Sequence, residues 1–349
     1  MNVSITVWIV TCVVILGLFV FDFFAHVRTP HEPTFKESAT WSAVYIALAV
    51  VFGFIVFWQY GSTYGGEYFA GYITEKALSV DNLFVFLIIM TTFSVPRQYQ
   101  QKVLLIGIVM ALVMRGGFIA LGAAAINNFS WVFYLFGAFL IYTAYKLIKE
   151  AGHEEENEVE QETKIMRLVK KVLPTTEEYH GDRLTVKIDG KRVVTPMLMA
   201  LVVIGFTDIL FALDSIPAIY GLTTEPYIVF TANAFALMGL RQLYFLIGGL
   251  LDRLVYLSYG LSLVLAFIGV KLVLHALHEN ELGFINGGEH VAVPEITTGL
   301  SLSVIVGILA VTTIASLIKT RGQSAQKARE DAPVDAGTAG EVDRDTTAR

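Results

Sequence analysis

The chain has 349 residues, 55% of them hydrophobic and only 16% charged, with a formal net charge of −6 and a mean hydropathy of +0.61. That is too much apolar surface for a soluble domain, so the chain reads as a polytopic membrane protein in contact with a lipid bilayer. Much of the acidity lies in the run EEENEVEQE and the tail and calls for no nucleic-acid partner; the single cysteine, Cys12, excludes an intrachain disulfide and a thiolate metal cage.

About 20 apolar residues cross a bilayer as a helix. That length places nine spans near 3–24, 40–60, 68–92, 102–122, 129–149, 196–219, 228–250, 254–275 and 297–318, an all-α fold. The first, VSITVWIVTCVVILGLFVFDFF, lacks a basic region before it and a small-residue cleavage pattern after it, and so reads as a retained span. Lys and Arg fall on one side throughout: Arg28 and Lys36, Arg97 and Lys102, the connection 150–195, Arg253, and Lys319 with Arg321. The opposite connections, near 61–67, 123–128, 220–227 and 276–296, carry neither residue, which predicts an N-terminus outside and a C-terminus in the cytoplasm of a plasma-membrane protein.

The spans also repeat. Glu75 and Asp208 are 133 positions apart, Asp81 and Asp214 are again 133 apart, Arg115 and Arg241 126, and Lys146 and Lys271 125. The order acid, acid, Arg, Lys is kept through two units of three spans, and an odd unit must enter the membrane from opposite sides on its two occurrences. The expectation is a 3+3 inverted repeat with a site at the midplane between the halves. The resulting map is 1–66 for spans one and two, 67–149 for repeat one, 150–195 for a cytoplasmic link, 196–275 for repeat two, 276–318 for an outer loop and the last span, and 319–349 for a disordered tail. Within the link, KIMRLVKKVL reads as a short amphipathic helix and RLTVKIDGKRVV as a hairpin turning at Asp189-Gly190.

The chemistry sits in EKALSVDNLFVF and TDILFALDSIPAI. Ionisable groups inside a span are costly unless they line a cavity or bind an ion. Six residues on a straight helix leave two side chains about 120° apart in azimuth, so convergence of each acidic pair on one ion requires a broken helix. Pro217 supplies a cause, since it cannot donate to the carbonyl of Leu213. Glu75, Asp81, Asn82, Asp208, Asp214 and Ser215 would then form an all-oxygen site, suited to magnesium, calcium or manganese as cargo; oxygen donors alone do not separate the three. Arg115 and Arg241 either balance these charges or alternate with the ion as a gate. Asp22, with His26 one turn later, reads as a helix-end charge or an inner-mouth ligand, and His275, His278 and His290 belong to a polar outer loop. No Walker-type phosphate loop is present, no resident cofactor is expected, and nothing marks an oligomeric state.

These two strings, at 75–86 and 207–219, resemble the paired signature motifs of the TerC family, including its Alx-type members, a family named for tellurium resistance and implicated in manganese export. The resemblance runs from the first span to about residue 320. It implies that Glu75, Asp81, Asn82, Asp208, Asp214 and Ser215 are ion-binding positions, that manganese comes first among the candidate ions, and that transport is outward. Buried carboxylates that hold protons when no metal is present would make the process an exchange with protons. Two other classes compete: an intramembrane aspartyl hydrolase, which needs one dyad rather than two symmetric pairs, and a membrane stress-response scaffold acting on metal indirectly.

Overall fold

The structure is a computed structural model that describes residues 1–29, 31–129, 131–150, 175–176, 178–188, 191–247, 256–280, 282 and 284–330. The link helix, the Asp189-Gly190 turn, Arg253 and the last part of the tail lie outside the described residues, as does the side chain of Asp81.

Helices dominate, as an apolar solvent requires: every backbone donor and acceptor must find its partner within the segment. They are α1 (Ile5–Asp22, continued by a π-helical turn Phe23–Val27), α2 (Phe35–Tyr60), α3 (Ser62–Thr92), α4 (Arg97–Asn128) and α5 (Val132–Glu150). After the link come α6 (Pro196–Tyr220), α7 (Pro226–Leu237), α8 (Leu240–Ile247), α9 (Leu257–His278) and α10 (Thr298–Glu330). Local chemistry sets several starts. Ser4 and Thr34 accept the amides of Val7 and Glu37 from N-cap positions, and Pro196 and Pro226 open α6 and α7, where a missing N–H costs nothing.

Among the described residues, eight helical segments are long and apolar enough to cross a membrane. The 31-residue α3 is not one of them, because every 18-residue stretch of it holds at least three of Glu67, Glu75, Lys76 and Asp81. It is nonetheless enclosed, with Tyr68, Ala70, Leu83 and Ile89 fully buried. The chain is therefore an all-α polytopic membrane protein. Burial grades inward: 17% of the α10 span and 22% of the α1 span are buried, against 83% of α7–α8, so the most polar helices are wrapped by the most apolar ones. Outward-facing Ile5, Trp58, Val113 and Leu121 are exposed and would meet lipid.

The central helices pack reciprocally: α3 against α7, α4 against α6, and α5 against α9. In the last pair the backbones nearly touch, and a Cβ added at Gly137 would stand 2.9 Å from the carbonyl oxygen of Gly269, with the converse also true. Two short strands, Thr185–Ile188 (β1) and Lys191–Val194 (β2), form the antiparallel pair of the link, tied to α4 by a 2.6 Å bond from Lys102 to Asp182.

Two expectations about helix breaks are overturned. Neither motif helix is interrupted: α3 is helical throughout, and α6 runs through Pro217 to Tyr220. Pro217 lies in the last turn, so it withdraws a donor from one carbonyl only, whereas unwinding would expose several in an apolar setting. The break falls instead in the span expected as continuous near 228–250, at Met238 and Gly239 between α7 and α8. Gly239 has φ +76° and its Cα faces Tyr45, so a Cβ there would meet the tyrosine at 3.0 Å; only glycine takes both the conformation and the contact. Lys76 of α3 donates to the carbonyls freed by the break, 2.9 Å to Ala236 and 3.2 Å to Met238.

Candidate functional site: two buried arginines

Arg115 of α4 is completely buried. Its guanidinium donates through Nη2 to Asp208 Oδ1 (3.0 Å), through Nε to Asp208 Oδ2 (3.3 Å), and through Nη1 to Glu75 Oε1. The planar fork matches the Asp208 carboxylate side by side, a strong arrangement for a buried pair. Glu75 is itself inaccessible; its Oε1 also accepts from Ser79 Oγ at 3.4 Å, while Oε2 is buried with no protein partner. Three helices thus bring the first acid of each motif onto one cation. Two carboxylates face one guanidinium, and with all three ionised the cluster carries one surplus negative charge.

Asp214, the second acid of the second motif, does not join them. Asp214 turns to α5 and accepts from Thr143 Oγ1 at 3.0 Å, as the azimuthal offset on an unbroken α6 dictates. Ser215 is buried with its hydroxyl unpartnered, and Asn82 is buried on α3. Among the described residues no group of three or more His, Cys, Asp or Glu is placed to hold a metal ion.

The other repeat-matched arginine has a different partner. Arg241, near the start of α8, reaches out of its own unit to Asp22 at the end of α1, with Nη2 2.7 Å from Oδ1 and Nη1 on Gln101 Oε1 of α4. The same Asp22 oxygen accepts from Tyr45 OH (2.9 Å) and Gln242 Nε2 (3.2 Å). His26 Nδ1 stands 3.2 Å from it without forming a hydrogen bond.

Several buried polar residues escaped the sequence reading. Asn233 in α7 is fully buried with both amide atoms unpartnered, and Thr74 beside Glu75 is buried with its hydroxyl unpartnered. Gly71 lies against Ala232 and Lys76 reaches Ala236, so both residues fall in the same interval of the α3–α7 contact. An asparagine inside TANAFAL was a legible polar interruption of an apolar run; its burial was not. Lys76 was hidden by its neighbour Glu75, and Gln101 by its place at a helix start.

The chain is 52% identical over 325 residues, 93% of its length and 82% of the relative's, to an uncharacterized membrane protein of Mycobacterium tuberculosis. It is 40% identical over 307 residues (88% and 90%) to an uncharacterized membrane protein of Myxococcus xanthus. A third relative, 35% identical over 295 residues (82% and 86%), is an Escherichia coli protein named as a membrane-bound redox modulator, Alx, in a name that marks the role as provisional. No solved structure matches. The sequence model of the integral membrane protein TerC family matches residues 60–324, three quarters of the chain and both acidic motifs, and the chain belongs to that family.

Proposed function

We propose that the protein is a secondary transporter exporting a hard divalent cation, manganese first, in exchange for protons. One observation carries the reading: Glu75 and Asp208, one from each motif, share the wholly buried Arg115 and leave a surplus negative charge with Glu75 Oε2 unpartnered. An unbalanced charge in the interior is strongly unfavourable, so the cluster is balanced only by a proton or a bound cation. That is the competition an exchanger needs. Arg115 acts as a tethered cation that keeps the acids together when the ion is elsewhere. Asn82 and Ser215, seven residues on from Glu75 and Asp208 and so on the same faces of α3 and α6, and Asp214, one face round, line the ion's further course. Asp81 belongs to the same proposed set.

The pairing of α3 with α7, α4 with α6 and α5 with α9 supports the inverted repeat, since a two-fold axis that exchanges corresponding helices turns the contact of one unit's first helix with the other's second into its reciprocal and sets the third helices against each other. The Lys and Arg pattern supports an outside N-terminus and a plasma-membrane location. We read no enzyme activity: Asp208 is engaged by Arg115 and Asp214 by Thr143, so these two acids form no dyad. A redox role, which the Escherichia coli relative's name carries, would have only Cys12 for thiol chemistry, exposed on α1.

Reconstitution tests the reading. Liposomes holding the purified protein should move manganese against a counterflow of protons followed by an internal pH dye, and Glu75→Gln or Asp208→Asn should reduce flux to that of empty liposomes. Wild-type flux at the protein-free rate, in protein shown to be folded, would sink it.

A further inference from the structure

The Arg241 cluster is buried, polar and incompletely bonded. Asp22, His26, Tyr45, Gln101, Arg241 and Gln242 are each less than 10% exposed. Yet His26 Nδ1, Arg241 Nε and Gln242 Oε1 have no hydrogen-bond partner in the protein. Two small cavities border them, each with about 10 Å³ of space, the room of one water or one bare ion. Asp22 and Tyr45 line the first, His26 and Glu37 the second, and Arg241 and Gln242 line both. The backbone is irregular on both sides: the π-helical turn Phe23–Val27, closed by a 2.9 Å bond from Arg28 N to Phe23 O, carries His26, and the α7–α8 break at Gly239 carries Arg241. Single π-turns recur at functional sites.

We propose that Asp22, His26 and Gln242 form a second cation station, a site for a divalent transition metal that opens when Arg241 leaves Asp22. Two ligand atoms about 2.1 Å from one ion and at right angles to each other stand about 3 Å apart. Asp22 Oδ1 and His26 Nδ1 are 3.2 Å apart, with the imidazole nitrogen unpartnered. Gln242 Oε1 adds a free amide oxygen. A carboxylate, an imidazole and an amide favour manganese or a softer transition ion over magnesium and calcium, which take oxygen alone. Arg241 has somewhere to go, because the second cavity offers it the Glu37 carboxylate, now 3.3 Å from His31 Nε2. Among the described residues, the charged and titratable groups that face the station are Asp22 and His26 on α1, His31 in the connection to α2, Glu37 and Tyr45 on α2 and Arg241 on α8; α4 contributes the neutral Gln101. The inference takes its class of ion from the transport reading, but its test measures binding at His26 and not flux, so the two can fail separately.

The full chain, labelled with 13C at histidine Cε1 and held in lipid nanodiscs, is titrated with manganese chloride alone, and paramagnetic broadening of each histidine signal is followed. His26 is assigned from the spectrum of His26→Gln. His26 should broaden at lower manganese than the outer-loop histidines His278 and His290. Asp22→Asn should raise the midpoint at His26 about tenfold or more, Arg241→Gln should lower it, and Glu37→Gln, which keeps the Asp22–Arg241 pair intact, should raise it. Should Arg241→Gln fail to fold, Glu37→Gln and Asp22→Asn decide. A His26 signal that broadens only together with the loop histidines, or a midpoint that Asp22→Asn and Glu37→Gln both leave unchanged, overturns the station.

Discussion

Arg115 and Arg241 hold the same place in the order acid, acid, Arg, Lys that occurs twice along the sequence, and the fold treats them differently. Arg115 lies on an unbroken helix, between two carboxylates, with Nε, Nη1 and Nη2 all donating to them. Arg241 follows a helix break, meets one carboxylate and one amide, and keeps an unpartnered Nε between two small cavities. Equivalent residues thus make a tight, over-acidic cluster at the centre and a looser, charge-balanced one at the end of α1. Charge surplus belongs to the first and room to move to the second, and under the proposed transport reading these are the separate requirements of binding an ion and of releasing it.

Substitution at Arg115 should give the largest effect. Arg115→Met leaves Glu75 and Asp208 buried and uncompensated, and should cost about 3–5 kcal/mol of stability, read as lost yield and a lower melting temperature in detergent. The triple change Arg115→Met, Glu75→Gln, Asp208→Asn should recover most of that stability and none of the transport. If the single change melts like wild type, the central cluster is not the over-acidic centre described here.

Gly239→Val tests whether the break creates the second site. A β-branched side chain at φ +76°, 3.0 Å from Tyr45, should cost about 1–3 kcal/mol and weaken the Arg241–Asp22 pair, while Arg115 keeps its partners. Lys76→Met should be of similar or smaller size, about 1–3 kcal/mol, because the carbonyls of Ala236 and Met238 lose their donor. Thermal melts of both variants with Arg241→Gln as a second change should be less than additive for Gly239→Val.

The smallest effect is one of pH and belongs to the Arg241 side. His31, in the connection that covers the second cavity, is held above its ordinary value of 6.5 first by its bond to the Thr29 carbonyl, with burial opposing and Glu37 adding to the rise. A raised folded-state value means the contribution is complete below about pH 6.5 and is lost as pH rises through the folded value. The group is partly exposed, so the loss should be below about 1 kcal/mol, seen as a small fall in melting temperature from pH 6 to pH 9 that His31→Gln removes and Arg115 variants retain.

Much of this was readable from one chain. The apolar runs predicted spans that begin or end within a few residues of α1 to α7, α9 and the start of α10, because lipid leaves an apolar backbone no alternative to the helix. The alternation in RLTVKIDGKRVV anticipated β1 and β2 for an equally local reason. The acidic motifs singled out α3 and α6 as carriers of in-span carboxylates, but partners are a matter of azimuth and neighbour: Glu75 and Asp208 meet through Arg115, whereas Asp214 faces Thr143. Pro217 was the stronger local signal for a break and Gly239 the weaker, yet the break is at Gly239. A terminal-turn proline forfeits one bond, while a glycine packed against Tyr45 with Lys76 capping the carbonyls makes unwinding tolerable. Hydropathy and spacing therefore determined the membrane class, the helices, the repeat of acidic and basic residues, and the candidate carboxylates, since these follow from transfer energies and helical periodicity along the chain. Which carboxylate meets which arginine, where the helix opens, that Asn233 and Gln101 are buried and that Lys76 caps the opened helix were decided only by the packing of helices distant in sequence, because a charge's partner inside a membrane is whatever the fold sets against it.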